Sequence, residues 1–187
     1  NRMGFEVLGL DLSEESISQN KIFENDTLKF KVHDMREAIY PEISTQKVDA
    51  VCNLFTSFGY FESDVEDKKI FRSVADALVD NGFFILDFLN EQWVKNTLVP
   101  QAITTKGDIE FHISKRIEDQ HVIKDINFKD QGEAFHFFEK VKLHTLEEIG
   151  SYAEEFGFER VKIYGDYHLG AFDRDTSPRC INVFRKL

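Results

Sequence analysis

Residues 48–61 read VDAVCNLFTSFGYF. Val48 to Leu54 is a short run of β-formers of strand length, and Asn53 stands as a polar residue one place before its end. Asn53 to Phe61 then alternates polar and aromatic side chains around Gly59, as a loop at a strand's carboxyl end would. Working outward, Ser63 and Glu66 have the spacing of a capping box ahead of a helix. Its apolar face is Ile70, Phe71, Val74, Ala75 and Leu78, with Asn81-Gly82 as the stop. Gly82 to Leu89 (GFFILDFL) is a continuous apolar run, as a central strand covered on both faces requires.

Upstream the same grammar repeats. Phe5 to Leu10 (FEVLGL) predicts a strand ending at Asp11, followed by a helix capped by Ser13 and reaching about Asn25. Leu28 to His33 predicts a second strand ending at Asp34. Two successive β-α-β units predict an α/β fold with a doubly wound, mostly parallel, Rossmann-like sheet. Downstream the pattern changes. From about Ile109 to His144 three extended segments separated by EDQ and KDQGE predict an inserted antiparallel meander. Thr145 and Glu148 form a second capping box, on a helix stopped by Gly157, and strands near 159–164 and 180–184 close the chain.

Composition narrows the function. The 187 residues fit one domain, and 42% hydrophobic with 30% charged residues reads as globular. A net charge of −11 disfavours nucleic acid as a partner. No apolar run approaches the roughly 20 residues of a membrane span, and no secretory pattern opens the chain. Cys52 and Cys180 lie in separate apolar runs, as buried free thiols of a cytoplasmic protein would. Six histidines and two cysteines show no metal-ligand spacing, so no metal is expected.

In open α/β sheets ligands bind at the carboxyl ends of the strands. Asp11 is placed to accept from ribose hydroxyls; a nicotinamide ribose fits the same geometry, and so does a simple helix brace. Asp34 could accept from an exocyclic amine while the Met35 N–H donates to a ring nitrogen, with the Met35 side chain packing on the ring. Phe55, Phe58, Tyr60 and Phe61 can offer ring faces to a cation, and Thr56 and Ser57 keep the loop polar.

GLDLS (9–13), HDMRE (33–37), NLFTSFGYF (53–61) and NGFFILDFLN (81–90) resemble the motifs of small bacterial class I S-adenosylmethionine-dependent methyltransferases. The C-terminal RVKIYGDYHLGAFDRDTSPRCINVFRK resembles their closing antiparallel hairpin. The resemblance implies S-adenosyl-L-methionine as cofactor. It implies that Asp11 binds the ribose, Leu12 packs on the adenine and Asp34 and Met35 hold its edge. Asn53, Leu54, Phe55 and Ser57 would line the methionine part. It also implies a first strand with a glycine-rich loop ahead of residue 1, an element not among these residues. The whole chain, 1–187, would be one methyltransferase domain, with residues 102–144 as a β lid over the acceptor site.

Methyl transfer from a sulfonium needs positioning more than a nucleophile. A base, if required, would come from Tyr60, His136 or His112, with His168 a further candidate. The lid phenylalanines Phe111, Phe128, Phe135, Phe137 and Phe138 suit a small-molecule acceptor with apolar surface, methylated on N or O. Two other readings remain: a non-catalytic methyltransferase-like binding or assembly module, and an NAD(P)-binding oxidoreductase. Exposed strand edges would allow a homo-oligomer.

Overall fold

A computed structural model describes residues 1–187. The element order is β1 (Val7–Asp11), α1 (Glu14–Asn20), β2 (Leu28–Val32), β3 (Val48–Asn53), α2 (Asp64–Ala77) and β4 (Leu78–Leu89). Then come α3 (Glu91–Thr97), β5 (Gln101–Lys106), β6 (Ile109–Glu118), β7 (His121–Asp130), β8 (Glu133–Lys142), α4 (Leu146–Glu155), β9 (Phe158–Tyr164) and β10 (Arg179–Lys186). Strands β1 and β2 pair in parallel. A second sheet runs β3-β4-β10-β9, with β3 parallel to β4 and β10 antiparallel to both neighbours. No ladder joins β1 to β3, so the sheet is carried as two parts, β1-β2 and β3-β4-β10-β9.

The expected α/β architecture with an antiparallel C-terminal strand is therefore present. Within β1, Gly9 sits opposite Phe30, whose ring lies 2.6 Å from where a Cβ would stand. Only glycine lets the two strands close there. The core lies between the second sheet and helices α2 and α4. Phe58, Phe71, Phe84, Phe88, Phe158 and Phe184 are all but fully buried. Their rings meet mostly edge to face, as in Phe58–Phe71 at 5.8 Å, Phe58–Phe88 at 5.5 Å and Phe71–Phe84 at 5.6 Å. Such pairs add roughly 0.5–1.5 kcal/mol each beyond area burial.

Several local expectations change. The first helix stops at Asn20 and continues as one 3₁₀ turn, Lys21–Phe23. The α2 capping box does not form: the Ser63 side chain makes no bond to the helix backbone. Glu66 turns instead to Arg36, at 2.5 Å. The box at Thr145 and Glu148 does form. Helix α2 ends at Ala77 rather than at Asn81-Gly82, which sit inside β4 where its register with β3 shifts. The meander has four strands, β5 to β8, not three. Two of its turns, Asp119-Gln120 and Gln131-Gly132, take positive φ at both residues, the geometry that two-residue hairpins favour. Cys180 is buried as expected, but Cys52 is exposed, on the free-edge strand β3.

The register of β5–β8 sorts the meander into two faces. Phe111, Phe128 and Phe135 stand side by side, with Ile113, Ile126 and Phe137 in the next row. Ring centroids lie 4.8 Å apart for Phe111–Phe128 and 5.0 Å for Phe128–Phe135. The same face carries Val122 and Val141 into the core at the base of the meander. The opposite face is charged: Asp125 holds Arg116 at 2.7 Å and His136 at 3.0 Å.

Candidate active site

Strand direction brings the predicted tips to one rim. In the parallel β1–β2 pair Asp11 lies opposite Val32, two residues before Asp34, and the His33 N–H donates to the Asp11 carbonyl at 2.9 Å. The third tip joins across the free edges: the Asn53 amide Nδ2 lies 3.5 Å from the Met35 sulfur. Met35 and Asn53 thus meet across the gap between the two sheets, with Asp11 one strand further along. Arg36 fastens this region to α2 through Glu66, and the Ser73 hydroxyl donates to the Glu37 carbonyl at 2.6 Å.

Each tip carries hydrogen-bonding capacity that the chain leaves unused. Asp11 Oδ1 accepts from the Ser13 N–H at 2.8 Å, and its second oxygen has no partner. Ser13 in turn caps α1 by accepting from the Ser16 N–H. Met35 N–H makes no hydrogen bond within the chain, and Asn53 Oδ1 is buried without one. Buried polar atoms are rarely left unpaired, so this orphan marks a place where a ligand donor fits. Asp34 departs from the expected free adenine reader. Arg36 takes both of its oxygens and holds its carboxyl below the ordinary aspartate range. An adenine amine would share those oxygens with Arg36. Leu12 and Leu54 are exposed at their strand tips, placed for apolar contact.

The loop after β3 is the most constrained part of the rim. Phe55 and Thr56 both adopt left-handed backbone, φ 58° and 62°. Such conformations cost on the order of 1–3 kcal/mol each for non-glycine residues. What holds them is Asp87, on β4 and 1% exposed. The Phe55 N–H donates to Asp87 Oδ2 at 2.8 Å, and the Thr56 N–H to the Asp87 carbonyl at 3.3 Å. Arg179 donates Nε to Asp87 Oδ1 at 2.8 Å and Nη2 to the Thr56 hydroxyl at 2.8 Å. The Tyr167 hydroxyl donates to Asp87 Oδ2 at 3.0 Å, which places its ring 6.2 Å from Phe55. Ser57 donates to the Leu54 carbonyl and so closes the turn, rather than offering its hydroxyl outward.

Below the loop, Phe58 packs on the His144 ring at 4.9 Å, and His144 meets Asp67 at 2.9 Å with both fully buried. Strand β8 is stitched to the same loop, since the Lys142 N–H donates to the Gly59 carbonyl at 2.8 Å. Gly59 has φ 87°, and a Cβ there would lie 3.0 Å from the Lys142 carbonyl oxygen. Tyr60 is half-exposed at the loop's far end. Burial and the negative charge of Glu139 push its phenol up, which works against a base.

The histidines are a correction. His112 pairs with Glu110 at 2.8 Å and His136 with Asp125. Both register with Asn127 and so lie on the charged face of the meander. The Phe face reaches the main core cluster through Val122 and Val141, although Ile123 on the charged face is also buried, and the Phe face carries Glu139, the acid that acts on Tyr60. His112 and His136 are thus held by acids on the face opposite Phe111, Phe128 and Phe135. His168 sits in the β9–β10 loop, its N–H given to Asp166. Sequence reading also missed Asp87, Arg179 and Tyr167. The available signal was a charged residue, Asp87, inside the apolar run FFILDFL, since a buried charge demands a partner. A groove of about 580 Å³ lined by Val161, Ile163, Leu169 and Phe172 lies at the sheet's opposite edge, on β9.

The chain has the fold of class I S-adenosylmethionine-dependent methyltransferases. It is 25% identical over 184 residues to "Putative methyltransferase YqeM" of Bacillus subtilis (strain 168), covering 94% of this chain and 71% of that protein. No protein-family model matches. Among solved structures, an S-adenosylmethionine-dependent methyltransferase from Clostridium acetobutylicum superposes with a TM-score of 0.81 at 16% identity, over 96% of this chain and 74% of that one. CalS10 of Micromonospora echinaspora, an amino pentose methyltransferase solved with S-adenosylmethionine bound, gives 0.73 at 14% identity, over 97% and 74%. No helix of the chain is long and apolar enough to cross a membrane.

Proposed function

We propose that the chain transfers a methyl group from S-adenosyl-L-methionine to a small-molecule acceptor, an amine in preference to a hydroxyl. Three strand tips that carry unused polar groups support the reading: the free Asp11 oxygen, the Met35 N–H and the Asn53 carbonyl oxygen. Asp11 would hold the ribose, Met35 the adenine edge, and Asn53 with Leu54 and Phe55 the methionine part. Bound there, the cofactor supplies a sulfonium-activated methyl, whose carbon–sulfur bond breaks toward sulfur as the acceptor's lone pair forms the new bond. Residues of the chain orient the acceptor and exclude water.

The preference for an amine rests on Tyr60, whose phenol is pushed up by burial and by Glu139 and so is a poor base. A neutral amine brings its own lone pair, and its proton leaves to solvent after transfer. CalS10, a neighbour in fold, acts on an amino sugar, which agrees with this class of acceptor. Residues 102–144 serve as the lid, presenting the phenylalanine face to the acceptor.

Calorimetric titration with S-adenosylhomocysteine and, separately, with NADH tests the proposal. Saturable binding of the first and none of the second is expected; the reverse order of affinity would replace it with a dehydrogenase. The free edges of β1 and β3 favour one other reading, a chain that binds without turning over. Transfer of labelled methyl to an amino sugar excludes that reading.

A further inference from the structure

Asp87 is not among the strand tips that face the cofactor space, yet more of the rim hangs on it than on any tip. Its two carboxylate oxygens receive the Phe55 N–H, the Tyr167 hydroxyl and the Arg179 guanidinium, and its carbonyl receives the Thr56 N–H. These donors come from the β3–α2 loop, the β9–β10 loop and the start of β10, 32, 80 and 92 residues away from it. Phe55 and Tyr167 are 76% and 57% exposed, so neither is fixed by burial. They stand 6.2 Å apart because one carboxylate oxygen holds the backbone of the first and the phenol of the second.

We propose that Asp87 is the positioning residue of the transfer site. It latches two loops together, so that Phe55 on the cofactor side and Tyr167 on the acceptor side form the paired walls between which the methyl passes. Arg179 completes the latch: it balances the buried charge of Asp87 and ties the Thr56 hydroxyl into the same network. The assignment of the two sides rests on the methyltransferase reading above. The latch itself does not.

The test uses the full chain and two variants, with amide hydrogen exchange and S-adenosylhomocysteine titration as paired readouts. Asp87→Asn keeps the shape but gives Arg179 no charge partner. Exchange at Phe55 and Thr56 should accelerate at least roughly tenfold, the loss of one charge-assisted hydrogen bond. Amides of Val51 and Leu86 in the β3–β4 ladder should hold their native rates. Affinity for S-adenosylhomocysteine should fall about tenfold in parallel. Tyr167→Phe removes a single donor from an exposed ring and leaves the fold intact, which guards against a variant that merely unfolds. It should raise exchange at Phe55 by a smaller factor and raise the KM for an amino-sugar acceptor with little change in kcat. Native exchange at Phe55 in both variants overturns the latch. Faster exchange with unchanged affinity and unchanged KM overturns its positioning role. Failure of the unaltered chain to bind S-adenosylhomocysteine overturns the methyltransferase reading instead, and exchange at Phe55 still decides the latch.

Discussion

The two halves of the rim rest on unequal supports. In residues 1–33, which contain β1, α1 and β2, Ile17 is the one buried side chain. The β3-β4-β10-β9 sheet, by contrast, backs a cluster of 15 buried residues, none of them from that first half. Asp11 and Asp34 are accordingly shaped by bonds to residues two positions away, Ser13 and Arg36. Phe55 and Thr56 are shaped by Asp87 and Arg179, far off in sequence. One half of the site is set by turn chemistry and the other by tertiary packing. Local opening should therefore be far easier in the first half.

That contrast can be broken in several ways. The largest effect is expected for Phe71→Ala, at the centre of the ring cluster. It should cost about 3–5 kcal/mol and lower the global thermal midpoint measured by circular dichroism. Asp11→Ala should come next. Losing charge-assisted bonds to a ribose should weaken S-adenosylhomocysteine binding by roughly 10- to 100-fold with an unchanged midpoint. Ile17→Ala separates the halves most clearly. Amide exchange should rise across Val7–Val32 while the midpoint of the second sheet holds; a matching fall in both would show one cooperative unit.

Smaller effects test the caps and the ion pairs. Thr145→Ala should destabilise by about 1 kcal/mol, because its hydroxyl receives the Glu148 N–H, whereas Ser63→Ala should cost no more than a few tenths. The smallest concerns acid. Arg36 lowers the Asp34 carboxyl below its unfolded value, so this pair stabilises the fold above the ordinary aspartate range. The contribution is lost as pH falls through the lowered folded value. The pair is part-exposed, so Arg36→Ala should narrow the acid stability window by less than about 1 kcal/mol.

Much of this was legible in the sequence, and for identifiable reasons. Strand tips announce themselves when an apolar run meets a polar residue, and Asp11, Asp34 and Asn53 all did so. Parity along the meander was also legible: His136 lies between Phe135 and Phe137, so alternation alone puts it on the opposite face from both. Which face turns inward was not, because that depends on Val122 and Val141 meeting the core. Strand β5, QAITTK, is exposed throughout and has no hydrophobic period to read. The Ser63 box failed because Arg36, thirty residues upstream of Glu66, offers its carboxylate a charge. Asp87 hid inside an apolar run, and its partners Tyr167 and Arg179 become neighbours only once β10 docks on β4.

The sharpest test follows the backbone amides of Leu12, Met35 and Leu54 by NMR while S-adenosylhomocysteine is added. Shifts at all three positions with a single shared midpoint are the predicted result, since one ligand would touch every strand tip at once. Shifts confined to one tip, or midpoints that differ between the β1–β2 half and Leu54, would contradict a common adenosyl-binding rim.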